Sequence, residues 1–272
     1  MAVVSPSPVD LAGRDDGEGP TIVLLHGIGG NHTIWNEVIP DLVGSFRVLA
    51  PDLRGHGRSP APPSSEYSYP ELEADLLHLL DQKGILSAHL VGVSGGASLA
   101  LLLALDHPSR VRSLTMVSGA AYCDSQTRSV AERWAEVYSK EGPDAFALRV
   151  LKDLYYPDWM EEHLDFADKV RAEAQRMDIE PAVRWSRAMM KFDERRRIAS
   201  LALPTLIVQG MDDQVVDPSH GRILRQSIPG AQIRIFAQTG HMIPVERPHE
   251  TADAIARFVR EVEEKSAGAP PT

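Results

Sequence analysis

Cysteine is nearly absent from this chain: Cys123 stands alone and cannot form an intramolecular disulfide. No Cys/His cluster and no H-E-x-x-H motif occurs, so neither a metal site nor any other cofactor is expected. Long hydrophobic runs are missing too. The longest extends only from Leu99 to Leu105, far short of the ~20 residues that span a bilayer. Positive charge is outweighed, with 28 Lys and Arg against 38 Asp and Glu and a formal charge of −10. That balance argues against a nucleic-acid-binding surface, because neutralising phosphates needs a basic face. It equally disfavours docking on anionic lipid. The opening MAVVSPSPVDL has neither a basic nor an apolar signal region, so a cytoplasmic protein acting on a small molecule is expected.

What is present is a globular composition, 43% apolar and 24% charged over 272 residues, with no internal repeat. Short apolar runs alternate with amphipathic stretches, as in β-α units on a parallel sheet. The expected strands are Thr21–Leu25, Arg47–Pro51, His89–Val93, Arg112–Val117, Pro204–Gln209 and Gln232–Phe236, continuous in apolar character as strands covered on both faces should be. A helix is expected through Ile34, Trp35, Val38, Ile39 and Leu42, which share one face. Another opens near Ser68 and Pro70 and stops at Gly84, and a last one carries Ile255, Phe258, Val259 and Val262.

One stretch breaks the rhythm. Between Val117 and Pro204 the pattern is helical, without a convincing strand, and residues 122–200 hold most of the aromatic side chains. Insertions this long are commonly functional, and a helical lid over a site is expected here. The domain reading is a core in two parts, 1–121 and 201–264, a lid at 122–200 and a flexible tail at 265–272.

The strongest local signal is Gly92-Val93-Ser94-Gly95-Gly96, set between the strand HLVGV and the apolar helix ASLALLLAL. In that context G-x-S-x-G reads as a nucleophile elbow: the turn is so tight that Gly92 and Gly96 have no room for a Cβ, and the serine hydroxyl projects freely. Serine needs a base. His241 follows the last strand in Ala237-Gln238-Thr239-Gly240-His241, at the sheet edge where a base is required. His78, His89, His107, His163, His220 and His249 read as caps and solvated surface, and His26 as a hydrogen-bonder that fixes its loop. The imidazole needs a carboxylate to hold its tautomer. Two adjacent acids, Asp212 and Asp213, end the strand LIVQG; Asp213 fits the G-x-x-D spacing and Asp212 reads as an exposed or capping acid. The order Ser94, Asp213, His241 is the one expected of such a triad. The oxyanion hole is assigned to the backbone amides of Gly95 and of Ile28, in the loop His26-Gly27-Ile28-Gly29-Gly30.

HGIGG, PDLRGHGRS (residues 51–59), GVSGG, QGMDD and TGHMIPVERP (residues 239–248) together resemble the α/β-hydrolase superfamily, in its lid-bearing esterase, lactonase and carbon–carbon hydrolase branch. The resemblance runs from about Gly19 to Val262. It implies a mostly parallel central sheet flanked by helices, with the lid inserted after the sixth family strand. It also implies a loop-bracing role for Asp52, Arg54 and Gly57. Two departures are visible: only Val9–Ala12 remains as a strand before the first parallel one, and the proline that follows the acid sits at Pro218 with Asp217 before it. The activity implied is hydrolysis of a small or medium carboxylic ester through an acyl-enzyme on Ser94. The alternatives are a lactonase, a hydrolase that cleaves a carbon–carbon bond in a diketone, and a ligand receptor that keeps the triad without turnover.

Overall fold

The computed structural model describes residues 7–64 and 66–267. Seven strands form one sheet: β1 (Gly13–Asp16), β2 (Thr21–Leu25), β3 (Arg47–Pro51), β4 (Ala88–Val93), β5 (Val111–Val117), β6 (Thr205–Gly210) and β7 (Gln232–Phe236). Helices α1 (Ile39–Leu42), α2 (Tyr69–Gln82) and α3 (Gly95–Asp106) lie in the first half. Helices α4 (Ser125–Glu141), α5 (Pro143–Leu154), α6 (Pro157–Glu162), α7 (Leu164–Ala174) and α8 (Glu180–Met189) separate β5 from β6. Helices α9 (Ser219–Ser227), α10 (Ile243–Glu246) and α11 (Pro248–Ala267) close the fold.

The strand order is β1-β3-β2-β4-β5-β6-β7, parallel except for β1, which runs antiparallel to β3. The chain leaves β2 toward β3 on one side and later returns to place β4 on the other. The order therefore reverses beside the carboxyl ends of β2 and β4, the position where open α/β sheets form a crevice. Alternate side chains feed two separate cores. Val23 and Leu25 pack with α2 and α3 on one face, Ile22 and Leu24 with α1 and α11 on the other. Helix α3 is apolar all round and almost wholly buried, which is how a helix reads when both of its sides are covered.

The expected parallel strands match the observed ones to within a residue at either end. Two local expectations are corrected. The first strand is Gly13–Asp16 and not Val9–Ala12. The Val9 and Ala12 amides instead donate to Asp75 Oδ1 and Ser59 Oγ, so pairing with β3 begins only at Gly13 opposite Pro51. The stretch around Ile34–Leu42 is not one helix but a 3₁₀ turn, His32–Trp35, followed by the four-residue α1. Pro40 fits the first turn of a helix but not its interior, and Trp35, Val38, Ile39 and Leu42 still bury together. Counted along this chain, the helical insertion follows the fifth strand. The expected frayed ends fall largely on residues 1–6 and 268–272, outside the described residues. Among the described residues no helix is long and apolar enough to cross a membrane.

Helix α2 starts with a capping box, Ser68 with Glu71, as its sequence signature requires. On its inner face Glu73 is 7% exposed, with one carboxyl oxygen lacking a partner. Burial, then the Asp106 charge, against Arg197 and with Glu194, push its pKa up to about 7. The folded protein thus holds this proton more tightly than the unfolded chain does. Its contribution is complete below the ordinary 4.5 and is lost as pH rises through about 7. Glu73→Gln should therefore match wild type in melting near pH 4.5 and exceed it at pH 8, by on the order of 2 kcal/mol. A difference that does not vary with pH contradicts this assignment.

Candidate active site

Strand β4 turns into α3 through residues that tolerate no larger neighbours. A Cβ on Gly92 would lie 2.2 Å from Gly96 O, and one on Gly96 would lie 2.5 Å from His26 O. Between them Ser94 is forced to φ 55 and ψ −120, a strained conformation for a residue with a Cβ, costing about 1–3 kcal/mol. The turn is held by the Ser94 amide on Val117 O at 3.0 Å and by the Ser94 carbonyl, which accepts from Ala97 and Ser98. The hydroxyl is thereby set at the N-terminus of a helix, where negative charge is favoured.

Asp213 and His241 are both buried, 3% and 1% exposed. His241 Nδ1 lies 2.8 Å from Asp213 Oδ2 and 3.0 Å from Oδ1. Oδ1 also accepts from the amides of Val215 and Val216, both at 2.9 Å. These bonds lock the carboxylate, and a locked carboxylate fixes Nδ1 as the protonated nitrogen and leaves Nε2 to accept a proton. Asp212, the neighbouring acid, spends its amide on Thr239 O, and its side chain does not reach His241. Ser94 and His241 line the same cavity, of about 1400 Å³. Among the described residues no hydrogen bond yet joins the Ser94 hydroxyl to the ring; in unliganded sites such bonds are often long or poorly aligned.

Gly95 and Ile28 line that cavity beside Ser94, and a Cβ on Gly95 would lie 2.8 Å from Ile28 Cγ1. Neither backbone amide donates to a protein acceptor among the described residues. Two cavity-lining residues whose N–H groups have no protein acceptor suit a developing oxyanion. The loop carrying Ile28 is braced by two histidines. His26 donates from Nδ1 to Gly27 O at 2.7 Å and accepts at Nε2 from Leu53 N at 2.8 Å. Its burial, then the neighbouring His56, press its pKa down to about 3, so it stays neutral and serves as a brace. His56 accepts from Gly29 N and faces Arg54 O. Beneath them Asp52 accepts from the amides of His32 and Arg58, Gly57 lies where a Cβ would strike that carboxyl, and Arg54 forms a double hydrogen bond with Asp75. Trp185 of the insertion, fully buried, packs edge-on against both His26 and His56.

Sequence reasoning missed Glu246. It is buried, and its oxygens accept from Gly240 N at 3.0 and 3.1 Å and from Tyr156 N at 3.1 Å. Burial raises its pKa, partly offset by those two amides. His241 N donates to Leu154 O at 2.7 Å, and Ser118 Oγ donates to His241 O. The histidine loop is therefore clamped between the core and the junction of α5 with α6. Glu246 sits within TGHMIPVERP, but its partner Tyr156 is 90 positions away and invisible to a local reading. Two histidines are also corrected. His220 is buried against Asp124, which caps α4, and His89 is buried between Ser113 and Glu263; neither is a surface group. Among the described residues no group of three or more His, Cys, Asp or Glu could hold a metal ion.

Comparison with known proteins agrees with this architecture. The family model for the alpha/beta hydrolase fold matches residues 20–248. The chain is 30% identical to the 2-hydroxymuconate semialdehyde hydrolase of Pseudomonas sp. strain CF600, over 92% of this chain and 90% of that protein. It is 29% identical to a protein of Azorhizobium caulinodans provisionally named a carbamate hydrolase, RutD, over 94% of this chain and 97% of that one. Among solved structures, a thermophilic esterase from Thermogutta terrifontis superposes with a TM-score of 0.86 at 27% identity, covering 96% of each chain. The chain is thus a hydrolase of the α/β-hydrolase family.

Proposed function

We propose that the protein hydrolyses a carboxylic ester through an acyl-enzyme on Ser94. The observation that carries this reading is the Asp213–His241 hydrogen bond, 2.8 Å long and buried, on a loop that opens on the same cavity as the strained Ser94. In the mechanism His241 Nε2 takes the Ser94 proton as Oγ attacks the acyl carbon. Asp213 stabilises the imidazolium that results. The amides of Gly95 and Ile28 bind the oxyanion of the tetrahedral intermediate. Collapse expels the alcohol, which takes its proton from His241. Water then attacks the acyl carbon, gives its proton to His241, and the acid leaves as Ser94 is restored. Helices α4–α8 act as a cap that supplies most of the cavity wall and limits access of bulk water.

An ester is favoured over a carbon–carbon bond by the simplicity of the polar equipment. On the cavity wall, Tyr155, His241 and Glu246 are the buried titratable side chains among the described residues; burial raises the Tyr155 phenol and keeps it neutral, and Glu246 is committed to the Gly240 and Tyr156 amides. One base, one nucleophile and two amide donors are sufficient for acyl transfer from an ester.

Ser94→Ala should abolish turnover of p-nitrophenyl esters, by at least about four orders of magnitude, while its melting temperature stays within a few degrees of wild type. Asp213→Asn should retain the fold and lower kcat by roughly 10⁴, because the imidazole tautomer is no longer enforced. Steady-state kinetics beside thermal melts check both. Unimpaired turnover in folded Ser94→Ala removes the serine from the mechanism.

A further inference from the structure

Resting on the ester reading above, we infer that the substrate of this site is electroneutral, with a long apolar arm and no carboxylate. Much of the cavity's buried wall is apolar: Val130, Leu151 and Val216 are buried, with Trp134 packed against the valines, and the buried polar groups beside them, Ser98, Ser118, Thr127 and Tyr155, are uncharged. No buried cation faces this interior among the described residues. Three cationic side chains do line the cavity. Lys169 and Arg187 are exposed, and Arg247 directs its guanidinium back to Thr239 Oγ1 and Gln238 O, each at 3.4 Å. A carboxylate drawn inward would lose its water and find no buried cation to offset the loss, a costly way to bury a charge.

The approach points the same way. Glu37, Glu132, Glu161, Glu162, Asp165 and Glu173 line the cavity and are all exposed, outnumbering the three cations two to one. With a chain charge of −10 behind them, the field at the mouth repels anions. At low ionic strength such a field reaches ~10 Å or more, and salt screens it. Size supplies the last part. Ligand pockets are usually about 300–1,000 Å³, and this cavity is about 1400 Å³. A short ester leaves much of its apolar wall uncovered. Each further methylene that becomes buried is worth up to about fourfold in binding.

The test compares p-nitrophenyl butyrate and octanoate with two octanoyl analogues ending in a carboxylate or in a trimethylammonium group. In wild type, kcat/KM for octanoate should exceed that for butyrate at least tenfold. The carboxylate ester should fall at least tenfold below octanoate at low salt, and the gap should narrow severalfold in 0.5 M NaCl as the mouth is screened. The trimethylammonium ester should outrun the carboxylate one. The triple variant Glu161→Gln, Glu162→Gln, Asp165→Asn should raise only the carboxylate ester's rate, about two- to threefold and only at low salt. Calorimetric titration of Ser94→Ala with the same esters reads the order of affinities without turnover. If every ester resists hydrolysis by wild type while that binding order holds, the ester reading falls and the charge inference stands. A carboxylate ester bound or cleaved as well as octanoate overturns the inference.

Discussion

At the end of β4 there is no space for side-chain atoms, and the rest of the site depends on that constraint. A Cβ on Gly92 or on Gly96 would sit well inside the contact distance of backbone oxygens, so the chain can turn into α3 only with Ser94 at a positive φ. The fold meets the cost of this strain with the strongest material it has. Two apolar cores clamp β4 from both faces, and α3 is buried along its length. The same crowding ties the elbow to the loop after β2, because Gly96 lies against the backbone of Leu25 and His26. Ser94, the loop after β2 and the sheet edge are thus packed directly against one another, and the proposed mechanism needs preorganisation of that kind to stabilise an oxyanion.

The histidine is held by a different device. Its loop belongs to the core, yet its amide is bonded to Leu154 O and its neighbour Gly240 shares Glu246 with Tyr156, both from the insertion. Helices α4–α8 therefore do more than line the cavity; they also hold the loop that carries His241. Trp185 packs the insertion against His26 and His56, which brace the loop that carries Ile28. Under the proposed mechanism, an insertion anchored at both the His241 loop and the Ile28 loop would link substrate shape to the alignment of the reacting groups.

Much of this was legible in the sequence because it is local. Strands covered on both faces are continuous apolar runs, so β2 and β3 could be read to the residue and β4, β5 and β6 to within one; the more exposed edge strand β7 was also read to the residue. The elbow is a five-residue pattern whose glycines are sterically required, and the spacing that selected Asp213 over Asp212 is three residues long. What escaped is what depends on distant partners. Glu246 acquires its role from Tyr156, and His220 is buried only because Asp124, 96 positions away, receives it. The strand expected at Val9–Ala12 failed for the same reason, since its amides are taken by Asp75 and Ser59. The helix expected across Ile34–Leu42 kept its buried face but broke at Pro40, where a missing N–H outweighed a good apolar period.

The central claim is that His241, held by Asp213, activates Ser94. It is tested most directly by exposing the protein to a fluorophosphonate ester, following intact mass over time and mapping the adduct by peptide sequencing. The account predicts one adduct per chain, on Ser94, forming at least about a hundredfold more slowly in His241→Ala. A folded protein that takes no adduct, or takes it on another residue, or labels Ser94 at an unchanged rate without the imidazole, would contradict it.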